Sequence, residues 1–360
     1  MNKVQIFEFD ELELLRYTRN LPQNYNFEIK KTLTTIKRNN SKQIGLQFPD
    51  GLLKYSLVLS DIITYFTGAS TIILSDVVYG ACCIDDISAH SLGCDLLIHY
   101  GHSCLIPITS MLIQTLYIFV DIRFNTNHCT EMVKTLIKNQ KRITLTGTVQ
   151  FLGCINEVYK KIKTDKNIQI SRIRPLSPGE VLGCTSPKLK DTDIVVYIAD
   201  GRFHLESVMI SNPNLEFFKY CPFTRKMTQE YYGYEKFLEE RKNSLKKALQ
   251  GRTFGIILGT LGRQGNSVIH KNVSQKLKLL GYKIFNFLAP EISNNTLDSY
   301  IFIDAFVQIS CPRLSIDWGM NFKKPLLTPF EILGNINEYT MDYYSSEGSA
   351  PWKNYNNTIS

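Results

Sequence analysis

The stretch FGIILGTLGRQG, residues 254–265, decides the fold class. In it an apolar run of strand length ends in a glycine-rich turn, and a helical pattern follows. Comparable stretches occur twice earlier in the chain, as IGLQFPDGLL at 44–53 and ITLTGTVQF at 143–151. Short apolar runs that alternate with helical segments are typical of parallel sheets with helical crossovers. The sequence therefore predicts an α/β fold.

Two further apolar runs follow each of these stretches, so the chain contains three similar repeats. The second runs are TIILSDVVYG (71–80), ISRIRPLSPGEVLG (170–183) and KIFNFLAPEI (283–292), and the third runs are DLLIHYGHS (95–103), DIVVYIADGRFH (193–204) and AFVQISCPRLS (305–315). We predict three tandem, divergent α/β domains with mainly parallel sheets in a pseudo-threefold arrangement. The predicted ranges are a lead-in at 1–30, domains at 31–140, 141–250 and 251–340, and a C-terminal tail at 341–360.

The composition is that of a soluble globular protein, with 44% hydrophobic and 21% charged residues in a chain of 360. A net charge of +8 would suit an acidic partner or RNA, and it equally suits an ordinary solvated surface. No RNA-binding module with interleaved aromatic and basic residues is visible, and no DNA partner is expected. Residues 1–16 lack a signal pattern, and the most apolar stretch, 105–120, is too short and too polar to span a membrane. We expect a cytoplasmic protein.

Three of the nine cysteines lie in short turns that follow apolar, strand-like runs. They are Cys82 in DVVYGACC, Cys184 in GEVLGCTSP and Cys311 in VQISCPRLS. Ligands of open α/β sheets bind at the carboxyl ends of the strands, and reduced, spaced cysteines suggest metal or redox chemistry. Three thiolates, one per domain, would hold an iron–sulfur cluster with one iron open to substrate. The alternative is that each is a small buried residue near a turn.

A zinc site is a second interpretation of the cysteines. Cysteines and histidines cluster between residues 82 and 104, but no C-x₂-C pair is matched by a second pair. The cluster consists of Cys82, Cys83, Cys94, His99, His102 and Cys104. Whether Cys82 or the adjacent Cys83 would bind iron stays open. The other cysteines have no consistent context, and we assign them to core or surface.

Two further motifs could bind a polar ligand. The glycines of GTLGRQG (259–265) would allow close backbone approach to an anionic group, although the motif is not the dinucleotide fingerprint. Arg313, two residues after Cys311, could form a two-pronged salt bridge with a carboxylate. Its alternative role is a structural ion pair, with Asp317 as the candidate partner. Arg202 and His204 follow another predicted strand.

Several long motifs together resemble the eukaryotic diphthamide synthase family. They are LPQNYNFEI, LQFPDGLL, DVVYGACCIDD, HYGHSCLIP, RPLSPGEVLGCTSP, DGRFHLES, GTLGRQG, CPRLSIDWG and KPLLTPFE. The similarity runs from about residue 20 to PWKNY near the C-terminus, and so covers nearly the whole chain. The chain departs from the family pattern in its short termini and compact loops.

The resemblance implies a three-domain α/β fold that carries a 4Fe–4S cluster on Cys82, Cys184 and Cys311. It implies that the cluster binds S-adenosylmethionine and cleaves the sulfonium bond on the aminocarboxypropyl side. The resulting 3-amino-3-carboxypropyl radical would add to a histidine ring carbon of translation elongation factor 2. Like the family, the chain lacks the C-x₃-C-x₂-C signature of the usual radical enzymes.

Contacts to S-adenosylmethionine would come from the glycine-rich loop and from an arginine, because fixing the methionyl group decides which bond breaks. The candidate residues are Gly259, Thr260, Gly262, Gln264 and Arg313.

The family also implies partners. Its eukaryotic members form a heterodimer with a related second subunit, and they act with elongation factor 2 and a small iron-binding electron-donor protein. The three retained cysteines and the LPQNYNFEI lead-in indicate the first, catalytic subunit. The alternative is a non-catalytic scaffold or electron-relay subunit of the same heterodimer.

Overall fold

The computed structural model describes residues 7–76, 78–137, 141–164 and 167–354. The chain divides into two compact units, which are described separately below. The first comprises residues 1–125 and 149–154, and the second comprises residues 126–148 and 155–360.

The first unit is built around a four-stranded, fully parallel sheet with the strand order β3-β2-β4-β5. A short antiparallel pair, β1 with β6, lies outside this sheet. In chain order its elements are α1 (Glu11–Thr18), β1 (Tyr25–Asn26), α2 (Ile29–Asn39), β2 (Gln43–Gln47), α3 (Asp50–Leu53), α4 (Ser56–Thr67), β3 (Ser70–Leu74), α5 (Asp86–Ser91), β4 (Leu96–Tyr100), β5 (Gln114–Ile118) and β6 (Asp121–Ile122).

The second unit contains two sheets. One has the order β8-β7-β9-β10-β11 and is parallel except for the β10–β11 hairpin, and the other has the order β13-β12-β14-β15 and is fully parallel. The elements are α6 (Asn127–Ile137), β7 (Ile143–Gly147), α7 (Leu152–Ile162), which begins in the first unit, β8 (Ile168–Ile170), β9 (Ile194–Ile198), α8 (Phe203–Ser211), β10 (Glu216–Cys221), β11 (Lys226–Glu230), α9 (Tyr234–Leu249), β12 (Thr253–Gly259), α10 (Ser267–Leu279), β13 (Lys283–Ala289), α11 (Asn294–Ser299), β14 (Ala305–Ile309), α12 (Pro312–Trp318), β15 (Leu326–Leu327) and α13 (Pro329–Leu333).

The three main sheets repeat one strand order. In each, the first strand of the repeat lies between the second and the third, and a fourth strand extends the sheet beyond the third. The predicted α/β fold with mainly parallel sheets is therefore confirmed. Each sheet also lies inside one of the predicted domain ranges, while the domain boundaries themselves stay a prediction.

Burial explains why these segments form strands and helices. Every residue of β4, β7, β9 and β14 is buried, as expected for inner strands covered on both faces. The helix after β12, α10, is capped by Asn266, whose side chain accepts hydrogen bonds from the N–H groups of Val268 and Ile269. The TPFE sequence starts α13 with a capping box between Thr328 and Glu331. No helix within the described residues is long and apolar enough to cross a membrane.

Candidate metal centre

Cys184 and Cys311 lie in the second unit and interact electrostatically. Cys184 sits in a tight turn between β8 and β9, in which Leu182 and Thr185 exchange backbone hydrogen bonds of 2.9 and 3.2 Å. Cys311 is the N-cap residue of α12, directly after β14. Burial raises the pKa of the Cys184 thiol to about 12, and the Cys311 thiol is the second cause of that rise. Each thiolate disfavours the other, so a bound cation would stabilise the pair as ligands.

Arg313 joins the segments that carry these two cysteines. Its guanidinium, 3% exposed, donates to the carbonyl oxygens of Phe203 at 2.6 Å and Gly183 at 3.5 Å. It also pairs with Glu206 at 2.5 Å and with Asp317 at 2.9 Å, and it lies 4.1 Å from the centre of the Phe203 ring. The ion pair with Asp317 that the sequence suggested is therefore present, and the role of Arg313 towards S-adenosylmethionine stays a prediction.

Gly183 is required by the same contacts. A Cβ atom at this position would lie 2.3 Å from the Phe203 ring, so no larger residue fits without a shift. The Gly183 N–H donates to Nδ1 of His204 at 2.8 Å, which fixes that ring nitrogen as an acceptor. Phe203 and Glu206 belong to the DGRFHLES motif, in which the sequence alone indicated only Arg202 and His204. Arg202 pairs with Glu206 at 2.9 Å.

The glycine-rich loop 259–265 connects β12 to α10, and its backbone is packed so closely that it leaves little space for side chains. A Cβ atom at Gly265 would lie 2.1 Å from the carbonyl oxygen of Gly259, and Gly262 has a positive φ of 53°. The Thr260 N–H donates to the Ala289 carbonyl at 3.0 Å. The approach of Gly265 to Gly259 therefore leaves no space for a Cβ atom, and the backbone of Gly262 lies in the left-handed region that favours glycine.

The same loop contacts the residue before Cys311. Ser310 Oγ donates to Oε1 of the buried Gln264 at 2.6 Å. On the other side of the turn, Gln308 Nε2 donates to the Cys311 carbonyl at 2.8 Å and to Ser315 Oγ at 3.0 Å. The structure therefore brings the predicted ligand-binding loop and the predicted cluster cysteine together within the second unit.

Cys82 belongs to the first unit, in a 3₁₀ turn over Ala81–Cys83 that follows β3. Cys82 is 8% exposed and Cys83 is 1% exposed. Gln47, at the end of β2, holds this turn because its amide donates to the Cys83 carbonyl at 3.0 Å and its oxygen accepts from the Asp85 N–H at 3.2 Å. The choice of Cys82 over Cys83 as a ligand stays a prediction.

Of the two histidines of HYGHS, His99 is buried and His102 is half-buried, and their rings stack with centres 5.2 Å apart. Burial lowers the pKa of His99 well below its usual value and that of His102 to about 4, so both are neutral. In the described part of the chain, no three His, Cys, Asp or Glu side chains form a set that could hold a metal ion. Among the described residues, the structure thus shows no zinc site. The assignment of the three cysteines as cluster ligands rests on the sequence.

Fold and site together define an α/β protein whose loops after parallel strands carry cysteines and a glycine-rich turn. Residues 48–345 match the family model described as "Putative diphthamide synthesis protein". The chain belongs to this family, as its motifs predict.

Relatives with known names cover almost the same length. A protein of Encephalitozoon cuniculi is 54% identical over 346 residues, which is 95% of this chain and 97% of that protein. One of Caenorhabditis elegans is 46% identical over 349 residues, covering 93% and 88%. Both are named 2-(3-amino-3-carboxypropyl)histidine synthase subunit 1. The crystal structure of Dph2 from Pyrococcus horikoshii with 4Fe-4S cluster shares the fold, with a TM-score of 0.76 and 24% identity over 91% of this chain and 97% of that one.

Proposed function

We propose that this chain is the catalytic subunit of a 2-(3-amino-3-carboxypropyl)histidine synthase. The enzyme transfers a 3-amino-3-carboxypropyl group from S-adenosylmethionine to a protein histidine by a radical mechanism, the first step of diphthamide biosynthesis. The shared name of relatives up to 54% identical supports this activity. The structural observation that supports it is that Arg313 joins the segments of Cys184 and Cys311, while Gln264 of the loop 259–265 contacts Ser310 beside Cys311.

We assign Cys82, Cys184 and Cys311 as ligands of a 4Fe–4S cluster. Thiolates are the usual protein ligands of such clusters, so the donor set fits iron. When bound, the cluster supplies the electron that cleaves the sulfonium of S-adenosylmethionine. Because burial keeps the Cys184 thiol protonated in the metal-free chain, cluster assembly there must release a proton.

The residues of the loop 259–265 would orient S-adenosylmethionine. Binding its amino and carboxylate groups selects, by orientation, which carbon–sulfur bond lies against the reducing centre. The contact between Gln264 and Ser310 would keep this loop beside Cys311. Arg313 already has two carboxylate partners, so its contacts favour a role in positioning the two cysteine segments over direct binding of substrate.

The proposed partners are a related second subunit, translation elongation factor 2 as protein substrate, and a small iron-binding electron donor, all in the cytoplasm. The "subunit 1" name of the relatives supports the second subunit. The alternative, a scaffold or electron-relay subunit, is disfavoured because this chain retains a cysteine in each repeat.

The test is anaerobic reconstitution with iron and sulfide, followed by Mössbauer and EPR spectroscopy with and without S-adenosylmethionine. We expect a 4Fe–4S signal that changes with the ligand and is lost in Cys82→Ala, Cys184→Ala and Cys311→Ala. Cys83→Ala and Cys221→Ala are the matched controls and should retain it. A cluster indifferent to all three substitutions would exclude the ligand assignment, and full activity of the heterodimer with these variants would favour the scaffold alternative.

A further inference from the structure

The C-terminal residues 340–354, here called the C-terminal strap, bind the turn that carries Cys184. The Tyr343 N–H donates to the Cys184 carbonyl at 3.2 Å, and the Ser186 N–H donates to the Met341 carbonyl at 2.7 Å. The Tyr344 N–H donates to Thr185 Oγ1 at 3.2 Å. Three successive residues of the turn are thus held by backbone groups of the strap.

The far end of the strap binds the glycine-rich loop. The buried Asn354 donates from Nδ2 to the Gln264 carbonyl at 3.1 Å. Its own side-chain oxygen accepts from Asn266 Nδ2 at 2.9 Å. The Asn354 N–H donates to the Tyr343 carbonyl at 2.6 Å, so both ends of the strap are joined directly. A chain of hydrogen bonds therefore runs from Cys184 through Tyr343 and Asn354 to Gln264.

The strap is fixed by its own contacts, so it can act as a rigid brace. Lys353 forms an ion pair with Asp342 at 2.9 Å, and the indole N–H of Trp352 donates to the same carboxylate at 2.9 Å. The Trp352 ring packs edge-on against Phe330 of α13, with ring centres 5.0 Å apart. These contacts close residues 342–354 into a loop within the second unit.

We propose that the C-terminal strap positions the S-adenosylmethionine loop, with Asn354 as the residue that fixes the loop 259–265 relative to Cys184. Asn354 acts through Gln264, whose side chain in turn accepts from Ser310 next to Cys311. A sub-ångström shift of this loop would misplace the methionyl group relative to the reducing centre. The identity of the ligand rests on the proposed function. The fixing of the loop 259–265 by the strap rests on the described contacts alone.

The experiment compares Asn354→Leu and Asn354→Asp with the matched control Asn272→Leu. Asn272 donates to the Pro351 carbonyl at 3.0 Å, so its replacement removes a hydrogen bond to the strap that involves neither the loop 259–265 nor the turn of Cys184. Asn354→Asp keeps an oxygen for Asn266 and loses the donor to Gln264. In the metal-free full-length chain, we expect hydrogen exchange at the amides of Ser186, Tyr343 and Gln264 to rise about tenfold or more in both Asn354 variants only.

On the reconstituted protein, we expect the Kd for S-adenosylmethionine to rise about tenfold in both Asn354 variants at unchanged iron per chain. Equal exchange in Asn354→Leu and Asn272→Leu would overturn the brace. If the parent binds S-adenosylmethionine and both Asn354 variants bind it with the same Kd as the parent, the proposal is also overturned. A merely structural role of Asn354 would lower only the unfolding temperature. If the parent itself binds none, the proposed function fails, and the exchange comparison alone still decides whether Asn354 holds the loop.

Discussion

At the scale of single residues, Arg313 is the centre of the second unit's site. The guanidinium satisfies two carboxylates and two carbonyl oxygens in a side chain that is 3% exposed. Removing one partner of a buried charge network leaves the others without compensation. We expect Arg313→Ala to lower the free energy of unfolding by about 3 kcal/mol in urea titrations of the metal-free chain. Arg313→Lys keeps the positive charge but loses the planar, forked guanidinium. Its free energy of unfolding should therefore lie between those of the parent and Arg313→Ala.

The matched control for Arg313 is Arg142→Ala. Arg142 also pairs with two aspartates, Asp191 and Asp193, but it is 46% exposed, so its loss should cost no more than about 1 kcal/mol. The affinity of the same Arg313 variants for S-adenosylmethionine separates positioning from anchoring. If Arg313 anchors the substrate directly, Arg313→Lys should bind S-adenosylmethionine more weakly even where the cluster is fully retained. If Arg313→Ala were as stable as the parent, the contacts of Arg313 would not stabilise the fold.

Glu180, a second buried residue near the site, should make stability depend on pH. Burial raises its pKa to about 7, against the hydrogen bond that the Ser177 N–H donates to its carboxylate. In the unfolded chain its pKa would be about 4.3, so between about pH 4.3 and 7 the folded state binds more protons. The contribution of Glu180 to stability is therefore present at low pH and is lost as the pH rises through 7.

Glu180→Gln should remove this dependence. We expect the variant to be more stable than the parent at pH 8, by on the order of 3 kcal/mol, and to differ little at pH 4. Urea unfolding at both pH values measures the difference, with the exposed Glu239→Gln as the matched control. Parallel pH profiles of the Glu180→Gln variant and the parent would contradict the prediction.

At the scale of secondary-structure elements, α9 is joined to its neighbours by one buried arginine. Arg241 donates from Nε and Nη2 to the Glu331 carboxylate at 2.6 and 2.8 Å, and to the carbonyls of Ser315 at 2.8 Å and Leu326 at 2.9 Å. We expect Arg241→Met to lower the free energy of unfolding by about 3–5 kcal/mol, because it leaves a buried carboxylate unpaired. Urea unfolding of the metal-free chain measures this loss.

The double variant Arg241→Met with Glu331→Leu should recover part of that loss, giving a coupling energy of about 2 kcal/mol in a double-mutant cycle. The exposed neighbour Lys242→Met, on the same helix, is the matched control and should change stability by less than about 0.5 kcal/mol. Additive effects of the two substitutions would show that the ion pair does not couple the helices.

The sequence of α9 shows why such contacts escape prediction. Its many charges indicate a solvated helix, yet Phe237, Arg241 and Ala248 share its buried face. The 3.6-residue period from Phe237 to Arg241 could have revealed that face, but not the carboxylate 90 residues away. The C-terminal strap was predicted only as a tail, because its contacts to the Cys184 turn use backbone groups of the strap, which no side-chain pattern reports.

At the scale of the whole molecule, the three repeats of parallel strands were predictable, whereas the order of the strands and the side-chain networks were not. The apolar runs indicated most of the parallel strands, and loops at their carboxyl ends follow from that geometry. The run 170–183 is an exception, because β8 (Ile168–Ile170) ends at its first residue. The cysteines and the glycine-rich loop could be located in this way from FGIILGTLGRQG and its counterparts. Arg313, Glu206 and Asn354 act through partners distant in sequence, which only the folded chain brings together.

Iron binding should stabilise the whole chain, since a ligand that binds only the folded state shifts the unfolding equilibrium. We expect the reconstituted protein to unfold at least about 5 °C above the chelator-treated protein in anaerobic scanning calorimetry. In Cys184→Ala this difference should largely disappear, because the metal-free state loses little while the loaded state loses a ligand. Cys221→Ala, which replaces another partly buried cysteine, is the control and should keep the full difference. Equal unfolding temperatures with and without chelator, at a verified iron content, would mean that the iron is not bound by the folded chain.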